Sequence, residues 1–301
     1  MKRKVKKVLK QGEEKNSLLN ELKIKSQAAM EYLMTYGWAI LIIALALGVL
    51  YSLGIMNPKN FAPRAPPGSC FVFRPNGPGT TDYVSLQGTC GYLPMYVASF
   101  NGVKVYITVP YLSVFYQHSF TVTAWVNYND EFSNDKGLLF ACQSDSVDKC
   151  LHITRRNVKP YFGFWADDLA GNTYLSRNKW WFLAFTWDSL TKQRNISVNG
   201  KLDARGTSRG LLNVSSGQVS IGNNWGNYMN GSIANVQIYN TALTPQEIQY
   251  LYQQGLGGGP VRLQNLVAWW PLNGDAKDYS GNNNHGTIYG GVTFVQNYNP
   301  P

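Results

Sequence analysis

The sequence has few charged residues, and it has few glutamates, a shortage that argues against glycoside hydrolysis. Charged residues make up 15 % of the 301 residues, below the ~25 % typical of soluble domains. The only glutamates after Glu31 are Glu131 and Glu247, and neither stands in a Glu-x-Asp-x-x-Glu arrangement that would supply the paired carboxylates of glycoside hydrolysis. No Ser/His/Asp signature or phosphate-binding loop stands out. The sequence therefore predicts a protein without catalytic activity.

Cysteine and histidine are also scarce. Three histidines and the lack of any Cys-x-x-Cys spacing argue against a zinc site. All four cysteines follow an apolar segment, on the side of it that would be exported, and an even number in an exported domain favours disulfides. Three pairings are open, and short sequence separation favours Cys70–Cys90 and Cys142–Cys150.

Basic residues are concentrated at the N-terminus. The first 26 residues carry three glutamates against nine basic residues, which are Lys2, Arg3, Lys4, Lys6, Lys7, Lys10, Lys15, Lys23 and Lys25. Such a segment is read as a solvated tail, as a nucleic-acid-binding arm or as a topological signal. We favour the topological signal and expect no nucleic-acid partner, because basic residues directly before an apolar span keep that end in the cytoplasm.

The apolar segment is long enough to cross a bilayer. Residues 32–55 contain twenty-four uncharged residues, and a helix of that length spans ~36 Å. Asn57-Pro58 ends it, since proline blocks helix continuation. A buried core helix and a secretory signal peptide are the alternatives. The small residues that a signal peptidase would need come before the apolar run, at 26–29, rather than after it.

The stretch KSQAAMEYL, residues 25–33, resembles the class III signal peptide of archaeal type IV pilins. The resemblance implies that a prepilin peptidase cuts between Ser26 and Gln27 on the cytoplasmic face. The cut would remove the leader 1–26 and leave an assembly helix, 27–56, at the start of the mature protein. In this family the helices then leave the membrane and form the core of a filament.

Glu31 is the single carboxylate in this helix. A charge at membrane depth is costly and is therefore more often functional than accidental. The resemblance implies that Glu31 pairs with the free amine of Gln27 in a neighbouring subunit, which satisfies two buried charges and fixes the axial register. The alternative is that Glu31 extends to the membrane interface.

Residues 57–69 contain four prolines and predict an extended stalk. From residue 70 a cysteine-closed hairpin and then many short alternating strands are expected, with hairpin turns at Asn101-Gly102 and Asn199-Gly200. One helix is expected after Thr244, which forms a capping box with Glu247. The pattern predicts an antiparallel β-sandwich over residues 70–301, so the chain is α+β and mainly β.

Four stretches carry a second resemblance: ASFNGVKVYITVP, FTVTAWV, WWFLAFTWD with ISVNGKL, and GSIANVQIYNTALTPQEIQYLYQQG. Together they resemble a LamG-like module of the concanavalin A-like lectin/glucanase superfamily, whose fold is a two-sheet jelly roll. Residues 266–294 resemble the segment that usually opens such a module. They begin a truncated second copy or supply edge strands in permuted order, and we favour permutation because twenty-nine residues cannot bury a core alone.

Candidate binding residues follow from this module. Trp165, Trp225 and Tyr228 lie in polar, Gly/Asn-rich stretches and either stack on sugar rings or are ordinary core or surface residues. The tryptophans of the alternating strands are expected in the core: Trp125, Trp181, Trp187 and Trp269. The resemblance also allows a calcium site, with oxygen donors from Asn101, Asp275 and Asp278. Sequons for N-glycosylation stand at Asn195, Asn213 and Asn230.

The sequence therefore predicts a type IV pilus-like filament subunit, major or minor, that displays a LamG-like module for adhesion or for surface or glycan binding. The expected partners are the prepilin peptidase and assembly machinery, other pilin subunits and the membrane before assembly, with a glycan or another cell-surface ligand. The precursor would lie in the membrane with a cytoplasmic N-terminus, and the mature protein outside the cell. The alternative is a membrane-anchored lectin that never polymerises.

Overall fold

The structure is a computed structural model that describes residues 25–26, 30–32, 34–50, 52, 63–131 and 135–301. The chain divides into two compact units, Met1–Ala62 and Pro63–Pro301. Most of the predicted leader, the new N-terminal residue Gln27 and residues 53–62 lie outside the described residues.

The N-terminal unit contains the helix α1, Met30–Leu50. By length and composition α1 can cross a membrane, since 21 residues extend ~31 Å. Its large apolar side chains are exposed around the whole circumference, including Trp38 and Ile40 at 66 % each. A helix that is apolar on all sides needs an apolar surrounding such as lipid or other helices.

The second unit, within residues 63–131 and 135–301, consists of nineteen strands and one α-helix, α2, at Pro245–Gln254. The strands are β1 Cys70–Phe73, β2 Ser85–Gly88, β3 Val97–Asn101, β4 Tyr106–Val109, β5 Phe120–Tyr128, β6 Lys136–Cys142, β7 Cys150–Arg156, β8 Lys159–Gly163, β9 Asp168–Ala170, β10 Trp180–Asp188, β11 Gln193–Val198, β12 Lys201–Thr207, β13 Val219–Ile221, β14 Asn223–Asn224, β15 Asn227–Tyr228, β16 Asn230–Tyr239, β17 Leu266–Trp270, β18 Thr287–Tyr289 and β19 Thr293–Val295.

Two antiparallel sheets form the predicted sandwich. The eight-stranded sheet has the order β12-β11-β10-β5-β16-β3-β19, with β17 also paired to β16. The seven-stranded sheet has the order β18-β4-β13-β6-β7-β8-β9. Between them lies an aromatic core in which Phe164 meets Trp187 edge-on at 5.3 Å. The sandwich confirms the mainly β, antiparallel fold predicted from the alternating pattern.

The central strands of the eight-stranded sheet, β5, β10 and β16, are buried on both faces. In β10, Leu183 and Phe185 face the core between the sheets, whereas Phe182 and Ala184 belong to a second apolar cluster on the other face. Residues of α2 and of the β1–β2 hairpin cover that second face. Double burial explains why this strand reads as a continuous apolar run. Trp125, Trp181, Trp187 and Trp269 are all buried, as predicted.

The closing segment completes both sheets. In the eight-stranded sheet β17 pairs with β16 and β19 pairs with β3, while β18 pairs with β4 in the seven-stranded sheet. Residues 266–294 therefore supply strands to the one sandwich, in agreement with the permuted order, and do not start a second copy.

The expected turn at Asn101-Gly102 is not a hairpin. β3 belongs to the eight-stranded sheet and β4 to the seven-stranded sheet, so the connection crosses between sheets. Gly102 and Lys104 both have positive φ, and two left-handed residues so close together redirect the chain out of its first sheet. The Asn199-Gly200 turn is a two-residue hairpin between β11 and β12, as predicted.

Residues 63–69, predicted as part of the stalk, belong to the second unit, whereas residues 57–62 lie outside the described residues. The Ala65 amide donates to the Leu93 carbonyl at 2.8 Å, and the Arg64 guanidinium lies 4.6 Å from the centre of the Tyr298 ring. Residues 63–69 are therefore part of the sandwich unit. Backbone hydrogen bonds and ring contacts hold them there, despite the prolines that made them look like free linker.

Both disulfides join the cysteines that are close in sequence, Cys70 to Cys90 and Cys142 to Cys150. The first closes the β1–β2 hairpin, in which Cys70 pairs with Gly88. The second links the adjacent ends of β6 and β7. Each disulfide therefore closes a local hairpin.

Removing the N-terminal cap of α2 tests how much the capping box stabilises this helix, which covers one face of the eight-stranded sheet. The Glu247 amide donates to the Thr244 hydroxyl oxygen, and the Thr244 amide donates to the Glu247 carboxylate at 2.8 Å. We expect Thr244→Ala to lower the free energy of unfolding by about 1 kcal/mol, measured by urea denaturation. Thr244→Ser keeps the hydroxyl and is the control. Equal stability of the two variants would contradict this role.

Candidate functional site

The outer face of the seven-stranded sheet carries a continuous row of side chains. Register pairs Ser220 with Phe140, Phe140 with His152, His152 with Gly163 and Gly163 with Asp168. Their immediate neighbours in sequence are in the core between the sheets, among them Ile221, Leu139, Ile153 and Phe162. Since strand side chains alternate between faces, the row faces away from the core.

The short hairpin β14–β15 lies over this row. A Cβ on Gly137 would stand 2.2 Å from the carbonyl carbon of Asn223, so the hairpin backbone rests directly on the glycine. This close approach places Trp225, at the hairpin turn, against Phe140 with ring centres 4.4 Å apart. Its centre is 5.5 Å from that of His152. Trp225 nevertheless keeps 38 % of its surface exposed.

Trp165 reaches the same place from the turn between β8 and β9. Its ring meets that of Trp225 at a steep angle, with centres 4.8 Å apart. Both tryptophans have positive φ, 61° for Trp165 and 46° for Trp225. Bulky residues rarely adopt this conformation, and where it persists it is often associated with a functional site. We call Trp165 and Trp225, with Phe140 and His152 beneath, the tryptophan site.

Tyr228 lies on the same hairpin but outside the tryptophan site. Its ring packs against Tyr106 with centres 5.9 Å apart, and Tyr106 packs in turn against Tyr289 at 5.2 Å. The rings are stacked, with interplanar angles of 28° between Tyr228 and Tyr106 and 7° between Tyr106 and Tyr289. Of the three predicted aromatic residues, the structure thus joins Trp165 and Trp225 and places Tyr228 in a separate tyrosine stack.

A charged group borders the tryptophan site. His152 Nε2 lies 2.9 Å from Asp168 Oδ1, and Arg156 Nη1 lies 2.8 Å from Asp168 Oδ2. The His152–Asp168 contact crosses over β8, where a Cβ on Gly163 would be 2.0 Å from Nε2. Glycine at this position is what leaves room for the contact. His152 is buried, and its Nδ1 has no hydrogen-bond partner among the described residues.

The charges of this group act on each other. Burial by itself raises the pKa of Asp168, but hydrogen bonds and charge from His152 and Arg156 outweigh burial and hold that pKa below its usual value. The hydrogen bonds that Arg156 donates to Asp135 and Asp168 raise the pKa of its guanidinium, against the opposing effect of burial. Arg156 therefore stays charged and bound to both carboxylates.

A loop closed by a disulfide fixes Trp225. Trp225 Nε1 donates a hydrogen bond of 2.9 Å to Oδ1 of Asp145. Asp145 lies in the loop between Cys142 and Cys150, which are eight positions apart and joined by a disulfide. Sequence reasoning missed Asp145, Phe140 and His152, because they adjoin the tryptophans only through sheet register and the folded hairpin.

The Cys142–Asp145–Cys150 group does not form a metal site. The two sulfurs and a carboxylate oxygen of Asp145 lie within 4.8 Å of one another. The sulfurs are bonded to each other, so neither is a thiolate that could coordinate an ion. The proximity reflects the disulfide.

The residues expected to bind calcium have other contacts. Asp278 accepts hydrogen bonds from the Trp269, Ser280 and Asn284 amides and from the Ser280 hydroxyl. Asp275 accepts from the Lys277 amide and the Tyr279 hydroxyl, while Asn101 accepts from the Val103 amide. These oxygens order their own loops. Calcium binding there stays a prediction.

The three sequons differ in their surroundings. The Asn195 amide group is engaged at both atoms, donating to Thr186 and accepting from Arg205. Asn230 donates to Asp130. Asn213 is half-buried, and among the described residues its side chain makes no hydrogen bond. Glycosylation of Asn213 would therefore break fewer of the described side-chain hydrogen bonds than glycosylation of Asn195 or Asn230. Use of any of the three stays a prediction.

A comparison with known protein families finds a match for the sandwich. Residues 101–249 match the family model of the concanavalin A-like lectin/glucanases superfamily. The second unit therefore contains a LamG-like domain of that superfamily, as its motifs predicted. The matched range begins at the end of β3 and ends within α2, so it includes the tryptophan site. The sequence matches none of the curated proteins with which it was compared.

Solved structures share the fold at low sequence identity. A protein from Bacteroides ovatus that is named as a carbohydrate-binding protein is 18 % identical, with a TM-score of 0.54 over 70 % of this chain and 63 % of that chain. The match thus spans less than two thirds of that protein. A heptameric SAP-like pentraxin from Limulus polyphemus is 14 % identical, with a TM-score of 0.48 over 67 % of this chain and 94 % of the pentraxin chain.

The Asp168 contacts predict a pH-dependent contribution to stability. A carboxyl whose pKa is lowered by folding stabilises the folded state at pH values above its unfolded pKa, ~3.9. That stabilisation is lost as the pH falls through the lowered folded value. We therefore expect wild type to be more stable than Asp168→Asn above about pH 5, with the difference in urea midpoint shrinking below pH ~4.

Asp82→Asn, at an exposed aspartate between β1 and β2, is the control. A difference that stays constant with pH would refute the linkage.

Proposed function

We propose that this protein is a surface-displayed glycan-binding protein whose sandwich binds sugars at the tryptophan site. The exposed ring of Trp225, fixed at the centre of that site, is the observation that carries the proposal. In its finer form, the protein is a subunit of a type IV pilus-like filament, and α1 forms the filament core. The alternative is a lectin that α1 anchors in the membrane.

The chemistry of the tryptophan site suits a sugar. A pyranose ring has an apolar face of C–H groups and an edge of hydroxyl groups. Trp225 offers a flat, partly exposed apolar surface, and Trp165 stands beside it at an interplanar angle of 61°, which forms a corner. Such a corner, with polar groups at its rim, is the usual make-up of a small-ligand site.

The comparisons support the choice of ligand class by analogy alone. The Bacteroides ovatus protein with the same fold is named for carbohydrate binding, and the family model includes lectins. At 18 % identity the likeness concerns the fold. Sugar binding by this chain is therefore proposed from the tryptophan site itself.

We do not propose catalysis. Glu131 pairs with Arg177 at 3.2 Å, and Glu247 caps α2 and contacts Arg262. Hydrogen bonds from Arg262 and Thr244 lower the pKa of Glu247, although burial opposes them. A carboxyl held ionised in this way is a poor general acid.

Trp225→Ala tests sugar binding. Loss of the stacking surface should weaken binding of any glycan ligand at least tenfold, since a buried aromatic anchor contributes more than ~1.4 kcal/mol. The ligand is first found on a glycan array with the wild-type sandwich, and affinity is then measured by calorimetry. Tyr228→Ala, in the tyrosine stack, is the matched control and should keep most of the affinity. Equal binding by wild type and Trp225→Ala would exclude this site.

The filament proposal depends on Glu31 and on the surface of α1. Glu31 lies in the exposed apolar helix, where its backbone carbonyl accepts a hydrogen bond from the Thr35 hydroxyl at 2.8 Å. Its carboxylate would be the single charge among side chains that lipid or neighbouring helices must cover. Pairing with the amine of Gln27 in another subunit would offset the free-energy cost of this unpaired carboxylate. The further proposed partners are the prepilin peptidase and the assembly machinery.

Processing and assembly can be measured separately. We expect mass spectrometry of the membrane or filament fraction to find a mature N-terminus at Gln27. Glu31→Ala should leave cleavage intact yet reduce recovery of the protein in sheared surface fibres at least tenfold, a loss of more than ~1.4 kcal/mol per contact. Thr35→Ala, one turn away, is the control. Protein that starts at Met1 in cells with active peptidase would leave the anchored lectin as the function.

A further inference from the structure

We propose that Asp145 determines which glycans bind, and that the tryptophan site takes neutral or amino sugars and rejects acidic ones such as sialosides and uronides. The inference rests on the proposed sugar-binding function and narrows its ligand class. It follows from where the Asp145 carboxylate stands relative to Trp225.

Asp145 presents one free carboxylate oxygen at the edge of the tryptophan site. Its Oδ1 accepts the Trp225 Nε1 hydrogen bond. Its Oδ2 has no hydrogen-bond or ion-pair partner among the described residues, and the residue is exposed. A sugar stacked on Trp225 would bring its hydroxyl edge next to Oδ2. A carboxylate accepts hydrogen bonds and donates none, so it binds hydroxyl or ammonium groups and repels another carboxylate.

The position of Asp145 is fixed by its loop. The Cys142–Cys150 disulfide closes this loop, and the Gln143 amide donates to the Lys149 carbonyl at 3.0 Å inside it. The Asp148 amide of this loop donates to the carbonyl of Phe164 at 2.9 Å, and Phe164 directly precedes Trp165 in the sequence. One short loop therefore holds both tryptophans and the carboxylate in a common geometry. A group held so rigidly can select between ligands.

The guanidinium that borders the tryptophan site already has two carboxylate partners. Arg156 binds Asp135 and Asp168, each at 2.8 Å. An acidic sugar would have to compete with two carboxylates for this guanidinium. Its own carboxylate would also face Asp145 at the rim, where exposed charges a few ångströms apart change affinity by a few fold. Both effects act against acidic sugars.

The test compares matched sugar pairs by calorimetry at low salt. The pairs are lactose with 3′-sialyllactose, galactotriose with trigalacturonic acid, and chitotriose with its deacetylated, cationic trimer. For wild type we expect the neutral partner of the first two pairs to bind roughly fivefold or more tightly than the acidic one. In the third pair we expect the cationic trimer to bind at least as tightly as chitotriose. The preference should shrink in 1 M salt, where the screening length falls to about 3 Å.

Asp145→Asn separates charge from positioning. Asparagine still accepts the Trp225 hydrogen bond but carries no charge, so the acidic sugar should bind about fivefold more tightly than to wild type while the neutral sugar binds about twofold more weakly. Asp145→Ala loses both features and should weaken every ligand. Asp82→Asn makes the same change in net charge at an exposed position between β1 and β2 and should alter neither affinity.

The outcomes are distinguishable. If wild type binds the acidic partner as tightly as the neutral one, or if Asp145→Asn keeps the wild-type ratio, the inference is overturned. Should Trp225→Ala abolish binding in that case, the proposed function still stands. Should wild type bind none of these sugars and nothing on the glycan array, the proposed function fails and this inference fails with it.

Discussion

Burial of the central strands of the eight-stranded sheet on both faces is the constraint from which the rest of the architecture follows. β5, β10 and β16 carry apolar side chains toward the seven-stranded sheet and away from it. The outward set has to be covered, because exposed apolar area of that size costs free energy and invites association. Helix α2, the disulfide-closed β1–β2 hairpin and the segment around Tyr298 provide the cover. The capped helix and the first disulfide thus have the same structural task.

The same constraint decides where a ligand can bind. The central strands of the eight-stranded sheet are covered on one face and pack into the core on the other, and the candidate site lies on the outer face of the seven-stranded sheet. This outer face holds aromatic and charged side chains in register, and the β14–β15 hairpin folds onto it where Gly137 allows close approach. The candidate surface and the second apolar cluster therefore lie on different sheets. Changes at the tryptophan site need not disturb the doubly buried sheet.

Much of the fold was accessible from sequence because its signals are local. Strand alternation, the Asn199-Gly200 turn, the Thr244 capping box and the close cysteine pairs all depend on a few neighbouring residues. The prediction of a hairpin at Asn101-Gly102 was wrong because the same dipeptide occurs both in hairpins and in connections between sheets. Which of the two forms depends on the partner strands. For the candidate site, the tryptophans were visible as aromatics in polar stretches. Phe140, His152 and Asp145 were not, since sheet register, a folded hairpin and a loop hydrogen bond bring them together.

The pairing of β19 with β3 has a consequence for folding. Ser99 pairs with Thr293, so one edge of the eight-stranded sheet is completed by residues almost two hundred positions later in the chain. Contacts of such high sequence separation make folding slow, and they leave β3 and β4 with open edges until the last strands arrive. During synthesis or translocation from the N-terminus, the sandwich cannot close before its final residues emerge. A chain threaded through a membrane behind α1 would therefore stay unfolded during passage and would complete its sandwich only after passage ends.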